Sequence, residues 1–187
     1  MTHPGGLVNH CLIQTITPIR MSYEEHSRHS RETSVRCAVV TVSDTRTDSS
    51  DTSGSLMRHQ LEAAGHTVVS YHILPDEPAE ITRLLQGLAD DVEAVLINGG
   101  TGISRRDTTH EAVTGLFEKT LPGFGELFRM LSYEDIGPGA MLSRATAGVF
   151  RNTLIFSTPG STGAVRLALD RLIIPELKHL VWEIIRH

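Results

Sequence analysis

The chain has 187 residues, a length that fits one domain able to bury roughly 70% of its unfolded surface. Seventeen Lys and Arg against 22 Asp and Glu leave a formal charge of −5, which weighs against a nucleic-acid binder. Two cysteines, Cys11 and Cys37, with no CxxC pair build no disulfide framework and point to a reducing cytoplasm; no apolar run approaches the roughly 18 residues of a membrane span.

Residues 1–33 differ in character from the remainder of the chain. They hold four of the ten histidines and the polar stretch SYEEHSRHSRETS, and read as a flexible N-terminal extension too polar to build a core. The extension has no basic-then-apolar order, so it is not a signal peptide, and Met21 is an alternative natural start. Its His26 and His29 make an H-x-x-H pair without a second pair of ligands, which favours a solvated tail over a metal site. A single domain is expected over residues 34–187.

From Val35 onward, apolar runs alternate with helical periodicity. VRCAVVTVS (35–43) predicts a buried parallel strand, and DTSGSLMRHQLEAAG (51–65) a helix stopped by Gly65. HTVVSYHIL (66–74) predicts a strand, EPAEITRLLQGLADD (77–91) a helix and VEAVLIN (92–98) a third strand. Helices are expected from near Thr108 and over 123–136, a strand over 152–160, and a helical stretch over 162–185 that Pro175 should kink or divide. Strand–helix alternation predicts an α/β fold, a mostly parallel sheet with helices on both faces. Ligands of such sheets bind beyond the carboxyl ends of the strands. That rule gathers 43–54, 75–77, 98–107 and 158–163 at one edge.

The segment INGGTGISRRDTTHE (97–111) runs directly out of a predicted strand. Gly99, Gly100 and Gly102, with Thr101 between them, permit positive φ and leave backbone N–H groups bare, as an anion site needs. Arg105 and Arg106 offer forked hydrogen bonds to phosphate. The P-loop lysine is missing, and so is the third glycine of the dinucleotide fingerprint. A tight turn with a solvated basic pair is the plain alternative. Asp107 would repel a bare anion, and Mg²⁺ held by one or two carboxylates plus phosphate oxygens resolves that conflict; a helix cap or an Arg–Asp pair would also account for it. Asp76 falls on the same edge and is the second candidate, although alone it is an ordinary turn acid.

Other candidates are weaker. Ser143 and Arg144 offer a further phosphate contact or a surface loop. Pro159, Gly160 and Ser161 form a small-residue turn that opens a helix. Ser43, Asp44, Asp51, Ser53 and Gly54 either cap the first helix or touch a heterocycle, with capping favoured for Asp51. His59, His66, His72 and His110 read as structural or solvated.

Taken in order, TVSDTRT, DTSG, GGTGISRRDTTHEA, PGFGELFRMLSYEDIG, LSRATAG and STPGSTGAV resemble the MoaB/MogA family of molybdenum cofactor biosynthesis proteins, over about residues 35–180. FRMLSYEDIG is closer to the MoaB branch. The resemblance implies a three-layer α/β/α sandwich and molybdopterin adenylyltransferase chemistry. The terminal phosphate of molybdopterin would attack the α-phosphate of ATP and release pyrophosphate, with Mg²⁺ bound. It places the functional aspartates on Asp76 and Asp107, and the pyrophosphate cradle on Gly99, Gly100, Thr101 and Gly102. Arg106 joins the nucleotide side, and Ser43, Asp44, Ser53, Gly54, Ser143, Arg144, Pro159, Gly160 and Ser161 the pterin side. It also implies a homotrimer or homohexamer and hand-over to the molybdate-inserting enzyme of the pathway. The alternatives are an oligomeric molybdopterin carrier without catalysis, and a pyrophosphatase resembling competence-damage proteins, which usually carry an extra domain.

Overall fold

In a computed structural model of the protein, residues 34–185 are described. The N-terminal extension, with Met21, Cys11 and the His26/His29 pair, lies outside them. Six strands form one sheet: β1 (Arg36–Val42), β2 (Thr67–Leu74), β3 (Ala94–Asn98), β4 (Lys119–Thr120), β5 (Thr146–Phe150) and β6 (Thr153–Thr158), in the order β2-β1-β3-β6-β5-β4. The first four in that order run parallel, whereas β5 and β4 are antiparallel to their neighbours. Around the sheet lie α1 (Thr52–Ala63), α2 (Pro78–Leu88), α3 (Thr109–Thr114), α4 (Pro122–Ile136), α5 (Thr162–Ala168) and α6 (Ile174–Ile185). A 3-10 turn comes after α4 over Gly137–Leu142, and a π turn joins α5 to α6 over Leu169–Ile173.

The central strands are apolar on both sides because both sides are covered. Cys37, Val39, Ala94, Leu96, Leu154 and Phe156 point to one face, where α1, α4, α5 and α6 deliver Met57, Leu61, Phe124, Phe128, Val165 and Leu177. Ala38, Val40, Val42, Val95, Ile97 and Ile155 point to the other, against Ile81, Leu85 and Leu88 of α2 and Val113 of α3. Each fully buried aliphatic side chain contributes about 2 kcal/mol of burial energy. The result is the expected three-layer α/β/α sandwich. Cys37 is part of it, and burial, then the charge of Glu93, pushes its thiol up to about 12, so the group stays neutral and unreactive.

Two elements depart from the sequence expectation. Residues 146–150, to which the sequence pattern assigns no element, form β5, an antiparallel strand beside β6. Its Gly148 is required there, since a Cβ would sit 2.5 Å from the Phe117 ring. The second departure is at Pro175. The long helix does divide, but one turn upstream, where Ile174 N–H bonds to Leu169 O across the π turn. Pro175 has no N–H to offer the carbonyl four residues before it, and the wider turn absorbs that gap.

Candidate functional site

Four parallel strands end at one edge of the sheet. Val42, Leu74, Asn98 and Thr158 lead there into the loops that begin at Ser43, Pro75, Gly99 and Pro159. β5 runs the opposite way, so its first residues, and with them Ser143 and Arg144, reach the same edge. Two of the three glycines of the turn, Gly99 and Gly100, sit at positive φ, whereas Gly102 does not. Gly99 has φ 102° and Gly100 φ 63°, values that L side chains rarely adopt. Gly99 also donates to Thr158 O at 3.0 Å, and a Cβ on Gly160 would lie 3.2 Å from the Gly99 Cα. The two small-residue turns are thus stacked against each other.

Both candidate carboxylates flank the glycine turn. A Cβ on Gly100 would collide with Asp76 Oδ2 and Thr109 Oγ1, and one on Gly102 would lie 2.7 Å from Asp107 Oδ2. The roles of the two acids differ. Asp76 accepts from Thr108 N at 3.2 Å, Thr108 Oγ1 at 2.8 Å and Thr109 Oγ1 at 3.1 Å, so it caps α3 from another loop. Asp107 Oδ2 accepts from Ser104 N at 2.8 Å, and Oδ1 has no protein partner among the described residues. No three His, Cys, Asp or Glu side chains among the described residues converge as metal ligands. Any Mg²⁺ would therefore complete its shell with phosphate oxygens and water, as that ion usually does. Of the two carboxylates beside the turn, Asp107 has the free oxygen to hold such an ion, whereas both oxygens of Asp76 accept from Thr108 and Thr109.

The arginines are placed otherwise than the sequence suggests. Arg144 donates through Nη2 to Asp107 O at 2.8 Å and through Nε to Thr101 O at 3.4 Å, and pairs with Glu111 through Nη1. Its guanidinium ties the glycine loop to α3, which leaves little for a phosphate. Burial would raise the Glu111 carboxyl, but the hydrogen bond and charge of Arg144 hold it below the usual range. Arg106 points to solvent, with a side chain 87% exposed and 3.7 Å from Asp44 Oδ2.

A pocket of about 390 Å³ opens beside the turn. Of the expected residues, Gly99, Gly100, Thr101, Gly102, Asp107, Ser143, Pro159, Gly160 and Ser161 line it. Asp76, Arg106, Arg144, Ser43, Asp44, Ser53 and Gly54 do not. Ser43 Oγ instead accepts from Thr45 N and Arg46 N, each at 3.3 Å, and closes its own turn. Ser53 and Gly54 are buried, and Ser53 Oγ donates to Gly160 O at 2.9 Å. The sequence reading missed the pocket's apolar wall, formed by Phe128, Ile136, Ala140 and Leu142 with Ser132. The signal was present: Phe128, Ser132 and Ile136 recur at i, i+4 spacing, with a serine where the stripe calls for an apolar residue. No Lys or Arg side chain among the described residues lines the cavity.

Beneath the site runs a buried polar chain that the sequence also concealed. Asp51 caps α1 by accepting from Gly54 N at 3.0 Å, and its other oxygen accepts from Thr41 Oγ1 and Tyr71 Oη, both at 2.5 Å. Thr41 in turn accepts from Asn98 Nδ2 at 2.8 Å. Burial acts to raise the Asp51 carboxyl. The bonds from Gly54, Thr41 and Tyr71, with the Arg46 charge 3.5 Å away, outweigh it and hold the group below its ordinary 3.8. Burial, then Asp51 itself, pushes the Tyr71 phenol up, so it stays protonated as a donor. Because the folded value of Asp51 is depressed, the folded chain binds fewer protons than the unfolded one between the two values. The stabilisation is complete above 3.8 and disappears as pH falls through the lower folded value. Urea unfolding near neutral pH and at about pH 3 should show this loss, and Asp51→Asn should make the acid limb shallower. Equal acid slopes for the two proteins would remove Asp51 from the account.

Comparisons with known proteins identify relatives of the whole fold. Residues 38–179 match the family described as "Probable molybdopterin binding domain". Molybdenum cofactor biosynthesis protein B of Bacillus subtilis is 59% identical over 167 residues, covering 88% of this chain and 98% of the relative. The protein of the same name from Halalkalibacterium halodurans is 54% identical over 169 residues, covering 89% and 99%. A crystal structure of a molybdenum cofactor biosynthesis protein B superposes with a TM-score of 0.80 at 52% identity, over 83% of this chain and 98% of that one. MoaB from Thermus thermophilus gives 0.73 at 35% identity, over 82% and 98%. On fold, matched residues and identity together, the chain belongs to the MoaB/MogA family of molybdenum cofactor biosynthesis proteins.

Proposed function

We propose that the protein binds molybdopterin and adenylates it with Mg²⁺ and ATP. Molybdopterin comes to this chain from the family description and from relatives named for cofactor biosynthesis. The observation that carries the catalytic reading is Asp107, a carboxylate lining the pocket beside the bare glycine turn with one oxygen unpartnered among the described residues. In the transfer, an oxygen of the molybdopterin terminal phosphate forms a bond to the α-phosphorus of ATP. The bond from that phosphorus to the bridging oxygen breaks, and pyrophosphate leaves with the electron pair. Mg²⁺, when bound, would neutralise phosphate charge.

The chain's own residues supply the rest. The amides of Gly100, Thr101 and Gly102 meet phosphate oxygens as fixed dipoles that need no reorganisation, while that of Gly99 is held by Thr158 O. Asp107 would hold the ion, while Asp76 and Arg144 fix the two ends of the loop. The Phe128, Ile136 and Leu142 wall takes a flat heterocycle, and the Pro159–Ser161 turn closes the cavity. Pyrophosphate release from ATP on adding molybdopterin, with the adenylated product identified by mass, tests the reading; an intact protein that binds molybdopterin and releases none refutes it. One observation favours a carrier instead: among the described residues, no cationic side chain lines the pocket to meet a triphosphate. The same assay separates the two.

The assembly is proposed to be a trimer or hexamer. Helix α4 buries Phe124 and Phe128 but exposes Leu127, Met130, Tyr133 and Ile136, and Met141 beyond it is 76% exposed. One helix with two apolar stripes is more than a lone domain covers. Sedimentation equilibrium at micromolar protein should give a closed oligomer, and only monomer would reject it.

A further inference from the structure

We propose that Asp51, which has no surface on the pocket, is the positioning residue that sets its two small-residue turns against each other. Two separate arms leave this one buried carboxylate. The first runs through Thr41 Oγ1 at 2.5 Å to Asn98 Nδ2 at 2.8 Å, and Asn98 is the last residue of β3, directly before Gly99. The second runs through the α1 N-terminus. Asp51 holds Gly54 N at 3.0 Å, which fixes the turn carrying Ser53, and Ser53 Oγ holds Gly160 O at 2.9 Å. The arms end on the glycine turn and the Pro159–Ser161 turn, whose backbones approach so closely that a Cβ on Gly160 would meet the Gly99 Cα at 3.2 Å.

A carboxylate is required because all its partners donate. Gly54 N, Thr41 Oγ1 and Tyr71 Oη need acceptors on both oxygens, and Tyr71 braces the pair from the edge strand β2. Space is equally tight, since a Cβ on Gly54 would meet Thr41 Oγ1 and the Tyr71 ring at 2.7 Å. An asparagine keeps the volume but can accept on one side only, so one arm must give way or reorganise.

The arms can be cut separately. Amide hydrogen exchange should rise about tenfold or more at Gly99–Gly102 in Thr41→Val, and by a like factor at Gly160 and Ser161 in Ser53→Ala. In Asp51→Asn it should rise at both turns, and by a clearly larger factor than at Val95, Leu96 and Ile155 in the core, whose exchange follows the global stability to which Asp51 contributes. Calorimetric titration with Mg-pyrophosphate should then show affinity about tenfold weaker in Asp51→Asn, with KM for ATP rising more than kcat falls. The inference rests on the adenylyl-transfer reading only for the Mg-pyrophosphate affinity and that kinetic split. If the unmodified protein makes no pyrophosphate, that reading fails, and the exchange pattern still decides the role of Asp51. Exchange raised uniformly over the domain, identical patterns in all three variants, or no change at either turn would overturn the positioning role.

Discussion

Replacing Asp107 by Asn is expected to lower adenylyl transfer about 10²-fold or more, roughly 3 kcal/mol of transition-state stabilisation, while the protein stays folded. The substitution keeps an oxygen for the Ser104 amide and nearly the same volume, so the loop retains its shape. What it removes is negative charge at the pocket wall, where an ion bound to phosphate would sit. Stability should change by no more than about 1 kcal/mol, since the group is a loop acid without a buried partner. Molybdopterin binding should survive, because the apolar wall and the Pro159–Ser161 turn are untouched. Turnover and binding must therefore be measured on the same preparation. An Asp107→Asn protein that adenylates at the unmodified rate would falsify the catalytic assignment and favour the carrier.

Gly100→Ala is expected to destabilise the protein strongly. At φ 63° an alanine costs about 1 kcal/mol in backbone strain, and its Cβ would enter space held by Asp76 Oδ2 and Thr109 Oγ1. Neither neighbour can withdraw freely, since Asp76 accepts from Thr109 and caps α3. Overpacking of this kind adds about 1–3 kcal/mol, for a total near 3 kcal/mol and loss of the turn's shape. Gly87, in the last turn of α2 with nothing within 4 Å, supplies the control. There the same change should stabilise by about 0.5–1 kcal/mol. Thermal unfolding of the two variants, with pyrophosphate titration of each, decides the matter. Equal midpoints would show that the turn is not strained as described.

How far the sequence spoke depended on the range of the interaction. β1, α1, β2, α2 and β3 follow from periodicity and local stop signals, and Asp51 and Ser161 cap their helices through bonds three residues long. The glycine turn was legible because positive φ is written in residue type. β5 was not, since TAGVF is short and its Gly148 makes sense only against Phe117, thirty-one positions earlier in the chain. The same limit hid the contacts of Arg144. Arginine beside a phosphate loop predicts an anion contact, yet its donors are spent on carbonyls of Thr101 and Asp107 about forty residues away. Asp76 shows both sides of this: its place on the edge was legible, but its hold on Thr108 and Thr109 was not.

A pocket lined, among the described residues, without Lys or Arg bears on how a ligand arrives. On the proposed reading, attraction of a phosphate there would come from oriented amides, whose field decays within a few ångströms, on a chain with a formal charge of −5. Long-range steering of a polyanion is then unfavourable, and added salt shortens the repulsion toward a Debye length of about 8 Å at 0.15 M. Association of Mg-ATP should accordingly quicken modestly with ionic strength rather than slow, the reverse of a site that captures phosphate with free guanidinium groups.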